Sequence, residues 1–333
     1  MTTILEADRL SVSFAGERGR IQAVEELSFS IAESEVLALV GESGCGKSVT
    51  ALSILGLLTS SATTSGSVTL GDVDLFSLPP REIADIRGKQ VSMIFQEPMT
   101  SLNPVLTVTR QISEVLRRHE GLSRAGARTR AVELLELVGI PDAGQRGEEY
   151  PHQMSGGMRQ RVMIAMAIAC SPELILADEP TTALDVTVQA SVLDTLRGLR
   201  DRLGTSILLI THDLGVVADI ADRVIVMYAG RQVEEAPVEQ LFDRPQHPYT
   251  NGLLGAVPDP DQEVRSGEAE RRLREIPGRV PVRLGPATSC VFADRCPRVT
   301  GECRSSMPPL TSVGNGHRVA CFRPGTDVFE EGR

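Results

Sequence analysis

The spacing of apolar positions changes period several times along this chain. The first 35 residues alternate apolar and polar side chains, as in LSVSF and VEELSFSIA, and a period of two predicts antiparallel strands with one buried face. Glu35–Val40 (EVLALV) is a continuous apolar run leading into a Gly-rich turn, the pattern of a short strand buried on both faces. Helical spacing returns over Lys47–Leu58, Val108–His119, Ala125–Val138 and Met158–Ala169. The third of these stops at Gly139-Ile140-Pro141, and the fourth is entered through Ser155-Gly156-Gly157. Three more apolar runs, Leu174–Ala177, Ser206–Ile210 and Arg223–Tyr228, read as strands. Strands alternating with helices predict an α/β fold around a parallel sheet, and no internal repeat suggests two fused copies.

Composition divides the chain near residue 255. Residues 256–333 hold 9 of the 20 prolines and carry 12 basic against 11 acidic side chains, whereas residues 1–255 carry 22 against 33. The expected organisation is one acidic domain over 1–255 and an irregular extension over 256–333. A formal charge of −10 speaks against nucleic acid as a partner, since phosphate neutralisation needs a basic surface. The longest apolar run, Val162–Cys170, is far short of the ~20 residues that span a bilayer, and the first residues lack the basic start and apolar stretch of a secretion signal. Any membrane role is therefore expected to come through partners.

Gly41-Glu-Ser43-Gly44-Cys45-Gly46-Lys47-Ser48 matches the phosphate-loop pattern GxxxxGK(S/T). Glycines let backbone N–H groups turn inward on phosphate oxygens, and the helix that follows adds its positive N-terminal end. Lys47 supplies a compact charge to the β- and γ-phosphates, and the Ser48 hydroxyl is a ligand for Mg²⁺. Only two lysines occur beside 32 arginines, so the lysine here is notable. A planar guanidinium is a poor geometric substitute for that point charge. The strand Leu174–Ala177 ends in Asp178-Glu179-Pro180. In a phosphate-loop protein the first acid belongs on the Mg²⁺ shell, and the second can orient or deprotonate the attacking water.

Taken in order, the phosphate loop, Gln96, the Ser155-Gly156-Gly157 signature, the strand ending Asp178-Glu179-Pro180, then Ala183-Leu184-Asp185 and Ile210-Thr211-His212-Asp213 resemble the ATP-binding-cassette (ABC) ATPases over residues ~10–230. MIFQEPMTSLNP, YPHQMSGGMRQRVMIAMAIA, LADEPTTALDVTVQA and RPQHPYT narrow the resemblance to the ATP-binding subunits of dipeptide and oligopeptide permeases. That branch also includes ATPases of nickel, opine and glutathione importers. A cassette ATPase without a transport role would carry long coiled-coil or zinc insertions, or two cassettes in tandem, and neither is visible.

The resemblance implies an ABC-type P-loop NTPase, with a RecA-like parallel core, an antiparallel β subdomain and a helical subdomain over about 97–165. It implies that Glu179 is the general base and Asp178 a Mg²⁺-associated carboxylate. Gln96 would sense Mg²⁺ and the γ-phosphate, and His212 would stabilise the transition state. Gly41, Ser43, Gly44, Cys45, Gly46, Lys47, Ser48 and Val49 would cradle ATP, and Phe14 would stack on adenine. Ser155, Gly156 and Gly157 would cap the γ-phosphate held by a second, homologous ATPase, with Asp185 coupling the two sites. The implied partners are that second ATPase as a heterodimer, two transmembrane permease subunits and an extracytoplasmic solute-binding protein. The implied location is peripheral, at the cytoplasmic face of the bacterial inner membrane.

Four of the six cysteines, Cys290, Cys296, Cys303 and Cys321, lie in the extension. A cytosolic setting disfavours disulfides, and structural zinc usually shows paired CxxC knuckles, which are missing. An iron-sulfur cluster on four loop thiolates, a zinc ion and free thiols all stay open on spacing alone; members of the resembled branch carry a 4Fe-4S cluster at this place. Cys45 is expected to be open to alkylation, and Cys170 to be a small core residue. His152 and His247 are expected to be structural.

Overall fold

The computed structural model describes residues 2–17, 19–182, 185–256 and 276–325. Its centre is an eight-stranded sheet. Five parallel strands run in the order β9 (Arg223–Tyr228), β3 (Val36–Val40), β8 (Ser206–Thr211), β7 (Leu174–Asp178) and β6 (Val91–Ile94). Side chains of β3 alternate between two cores. Val36, Ala38 and Val40 enter one, Leu37 and Leu39 the other. Both faces are covered, which is why the central strands read as unbroken apolar runs rather than alternating ones.

One face carries a twisted antiparallel sheet, ordered β2 (Gly19–Ala32), β1 (Thr3–Gly16), β4 (Ala62–Leu70) and β5 (Val73–Asp74). It packs over α1 (Lys47–Ile54), which ends four residues before the expected Leu58, where Gly56 takes a positive φ of 59°. α2 (Pro80–Ile86) precedes β6. The segment between β6 and β7 is helical: α3 (Pro98–Ser101), α4 (Val108–His119), α5 (Arg124–Leu137), α6 (Ala143–Arg146) and α7 (Gly156–Ala167). α4 buries Val108, Ile112 and Leu116 at i, i+4, i+8, the apolar stripe its sequence shows. α8 (Val186–Leu203) and α9 (Leu214–Ile220) follow β7 and β8.

Past β9 the chain departs from the sequence expectation. β10 (Arg231–Pro237) turns back antiparallel to β9, and α10 (Val238–Asp243) and α11 (Pro248–Gly255) follow. The extension is not wholly irregular. β11 (Thr311–Gly314) and β12 (His317–Val319) form a hairpin that extends the central sheet beyond β10. Asn315 and Gly316 both have positive φ, 51° and 74°, the backbone that two-residue hairpin turns require. The extension therefore shares a sheet, through this hairpin, with the strands before it. Among the described residues no helix is long and apolar enough to cross a membrane.

Candidate functional site

The loop between β3 and α1 is shaped by close backbone approaches. A Cβ on Gly46 (φ 104°) would lie 2.4 Å from the Ala23 carbonyl oxygen, and one on Gly41 (φ 150°) would lie 2.2 Å from that of Met227. Neither position admits a side chain. Lys47 is buried, and its Nζ donates to the Gly41 carbonyl at 2.7 Å and the Glu42 carbonyl at 3.2 Å. The ammonium is thereby folded back over the loop rather than extended into solvent. Cys45 is fully buried and burial raises its thiol, so the expected alkylation is corrected: a reactive thiol has to be accessible and ionised. Cys170 packs partly buried against the helical-side core, with burial raising its thiol to about 11.

The other groups converge from neighbouring strand ends. The Ser48 hydroxyl donates to Asp178 Oδ1 at 2.9 Å, bringing together two oxygens of the kind that ligate Mg²⁺. Burial raises the Asp178 carboxyl against that hydrogen bond. Glu179, one residue past β7, has a left-handed backbone (φ 47°), a costly conformation for a residue with a Cβ. It is held by its own N–H on the Ile210 carbonyl at 2.8 Å. Three side chains meet its carboxylate: Gln96 Nε2 at 3.0 Å and Thr182 Oγ1 at 2.8 Å on Oε2, and His212 Nδ1 at 3.2 Å from Oε1. Burial works to raise the Glu179 carboxyl, but the Thr182 and His212 contacts outweigh it and hold it below the usual range.

The expected Mg²⁺ trio of Ser48, Gln96 and Asp178 is not assembled as such. Ser48 meets Asp178, whereas the Gln96 amide bonds Glu179. Gln96 follows β6, the strand beside β7, which puts it within reach of the acid just past the end of β7. Thr182 is a site residue that the sequence reading did not single out, although it lies within the quoted stretch after Asp178. Together these elements border an open cavity of about 400 Å³, lined by Val40, Gly41, Glu42, Gln96, Glu179 and His212 among others.

The remaining predicted residues lie apart from this cavity. Ser155 caps α7, its hydroxyl accepting from Met158 N at 3.3 Å, and both Ser155 and Gly156 face solvent. Gly157 packs on α8, where a Cβ would lie 2.7 Å from Val188 Cγ1. Asp185 caps α8 by accepting from Val188 N at 2.9 Å; Ala183 and Leu184 lie outside the described residues. Phe14 sits on β1 opposite Ile21 and Ala62, half-buried against the core below the loop, and Val49 packs against the same core. His247 caps α11 and His152 stacks on Tyr150, which are structural placements.

Cys290, Cys296, Cys303 and Cys321 line one narrow cavity with His247, Phe292, Arg298 and Arg323. Burial raises the Cys290 thiol to about 11, and raises Cys296 and Cys321 as well. Among the described residues no group of three or more His, Cys, Asp and Glu side chains stands ready to hold a metal ion. The donor chemistry around the cavity is nevertheless thiol-rich and free of carboxylates.

Comparison with known proteins agrees with this geometry. Residues 24–182 match the ABC transporter family, and residues 233–303 match the oligopeptide/dipeptide transporter C-terminal region. The chain is 52% identical to a probable peptide ABC transporter ATP-binding protein of Sinorhizobium fredii, over 96% of this chain and 95% of that one. It is equally identical to the oligopeptide transport ATP-binding protein AppD of Bacillus subtilis, over 97% of both. Among solved structures it resembles the ATP-binding cassette MJ0796 in a dimeric post-hydrolysis state bound to ADP and Pi. The TM-score is 0.64 at 28% identity, covering 70% of this chain and 98% of that one.

Proposed function

The chain belongs to the ATP-binding proteins of dipeptide and oligopeptide ABC transporters, and we propose that its ATPase activity powers import of peptides through a membrane complex. The observation that carries the reading is Glu179, fixed by Gln96, Thr182 and His212 at the mouth of the phosphate loop. A carboxylate kept ionised there can take a proton from water attacking the γ-phosphate, while Lys47 and the loop N–H groups hold the phosphates. Ser48 and Asp178 would hold Mg²⁺, which when bound would supply charge neutralisation for the transferring phosphoryl group. His212, beside Glu179 at the rim of the same cavity, would donate to the charge that develops on that group.

One chain provides half of each site. Ser155 and Gly156 are exposed and away from the cavity that Gly41–Ser48 borders, so their N–H groups serve a nucleotide held by a second ATPase. The dimeric state of MJ0796 with ADP and Pi supports this arrangement. The partner is a homologous ATPase in a heterodimer. Two permease subunits and an extracytoplasmic solute-binding protein complete a complex on which this chain is peripheral, at the cytoplasmic face of the bacterial inner membrane. Names of relatives such as the dipeptide transport ATP-binding protein DppD of Bacillus subtilis and the oligopeptide transport protein OppD of Salmonella typhimurium favour peptides over nickel, opines or glutathione.

For the extension the proposed occupant of the thiol-rich cavity is a 4Fe-4S cluster on Cys290, Cys296, Cys303 and Cys321, with Zn²⁺ as the alternative. Four thiol side chains and no carboxylate line the cavity, and thiolate is the ligand that an iron-sulfur cluster requires and that zinc also accepts. Such a cluster would cross-link the loops of the extension. Stoichiometric iron and sulfide with a brown colour would support it; a colourless anaerobic preparation containing zinc would refute it. For the ATPase itself, Glu179→Gln in the assembled complex is expected to retain ATP binding and lose nearly all turnover. Hydrolysis at the wild-type rate would remove Glu179 from the base role.

A further inference from the structure

The extension touches the phosphate loop directly. The Arg295 side chain is only 7% exposed, and its Nη1 donates to both oxygens of Glu42 at 3.0 Å. Its Nε donates to the Pro277 carbonyl at 2.8 Å and its Nη2 to the Ile276 carbonyl at 3.0 Å. The guanidinium also lies 5.6 Å from the centre of the Tyr228 ring, so it is committed on every side. On the same loop residue, the Glu42 N–H donates to the Tyr249 hydroxyl at 2.8 Å. Tyr228, Tyr249 and Phe292 meet one another with ring centres 4.8 to 5.4 Å apart and form a rigid seat for this contact.

Glu42 lines the same cavity as Gly41 and Ser43. A carboxylate at that place repels a triphosphate unless an opposite charge accompanies it, and a half-buried pair is little screened by salt. A buried guanidinium pinned by backbone carbonyls provides that charge in fixed geometry, which the flexible ammonium of a lysine would not.

We propose that Arg295 is a positioning residue of the nucleotide site, contributed by the C-terminal extension. It neutralises Glu42 and anchors it so that the Gly41–Ser48 loop keeps its N–H groups turned to the phosphates. The inference rests on that loop being the ATP site, which the affinity of the unaltered chain for ATP tests by itself.

The test is equilibrium competition of ATP with a fluorescent ATP analogue on the full-length chain, with turnover measured in the assembled complex. Arg295→Gln is expected to weaken ATP binding about tenfold, an estimate for one displaced charge pair at a phosphate site. Turnover at saturating ATP should change far less than KM. Adding Glu42→Gln should restore most of the affinity, because no unpaired carboxylate remains. Arg318→Gln, which loosens the β11–β12 hairpin where Arg318 pairs with Glu235, should leave ATP affinity unchanged. Wild-type affinity in Arg295→Gln, no recovery in the double variant, or an equal loss in Arg318→Gln would each overturn the proposal. Glu42→Gln alone should bind ATP at least as tightly as the unaltered chain. A loss there would refute the charge argument even if Arg295→Gln failed to fold.

Discussion

His212 Nδ1 stands 3.2 Å from Glu179 Oε1, and the two residues follow the carboxyl ends of adjacent parallel strands, β8 and β7. The sheet thus sets their separation, and the exposed imidazole leans on a carboxylate whose backbone is itself held in a strained conformation. His212→Ala should leave ATP affinity within a few-fold and lower turnover by about 10²-fold or more, as loss of a preorganised donor does at comparable sites. The check is kcat against KM for ATP in the assembled complex. An unchanged kcat would reduce His212 to a support for Glu179.

Most of this site was legible in the sequence because it is built from local patterns. The Gly41–Ser48 loop, the strand ending at Asp178-Glu179 and the α7 entry at Ser155 each carry their geometry in consecutive residues. What escaped was non-local or concealed by burial of charge. β10 reads as polar, QVEEAP, yet Glu234 and Glu235 are buried because His317, Arg223 and Arg318 reach them from elsewhere in the chain. The β11–β12 hairpin carried an Asn315-Gly316 turn signal, masked by the shortness of its two strands and the exposure of β11. The contact of Arg295 with Glu42 spans 253 positions, which no local period can reveal.

Gly157 shows why a side chain is excluded from the α7 entry. A Cβ there would lie 2.7 Å from Val188 Cγ1, closer than carbon atoms approach without displacement. Gly157→Ala should push the start of α7 away from α8 and lower partner-dependent hydrolysis, while ATP binding to the isolated chain stays intact. Val188→Ala in the same chain should recover much of the lost rate by making room. Failure of that second change to help would place the role of Gly157 in its backbone conformation rather than in this packing.

Glu234 is the hub that ties the extension to the sheet. It is fully buried, accepting from Gln246 N at 2.6 Å and His317 Nε2 at 2.7 Å on one oxygen, and from His247 N at 2.9 Å on the other. Glu234→Ala would leave three donors without partners in a dry interior, a loss of about 3–5 kcal/mol. Denaturant unfolding should show this as a lower midpoint. Truncation of an exposed acid such as Glu133, on the surface of α5 with Arg130 at 2.8 Å, should cost ~0.5 kcal/mol or less. Equal effects of the two substitutions would contradict the hub.

His247 makes stability depend on pH. Burial pushes its imidazole down to about 4 from an ordinary value near 6.5, and its Nδ1 is needed unprotonated to accept from Tyr249 N at 3.1 Å. Between those two values the unfolded chain binds a proton that the folded chain does not, so stability falls as the solution is acidified. The contribution is fully present above about pH 6.5 and is lost progressively toward pH 4, on the order of 3 kcal/mol in all. His247→Asn keeps an acceptor at the cap of α11 and cannot titrate. Its unfolding free energy, followed by denaturant titration from pH 7 to pH 4.5, should therefore decline less steeply than that of the unaltered chain. Parallel declines would show that other groups govern acid sensitivity and that His247 contributes only packing.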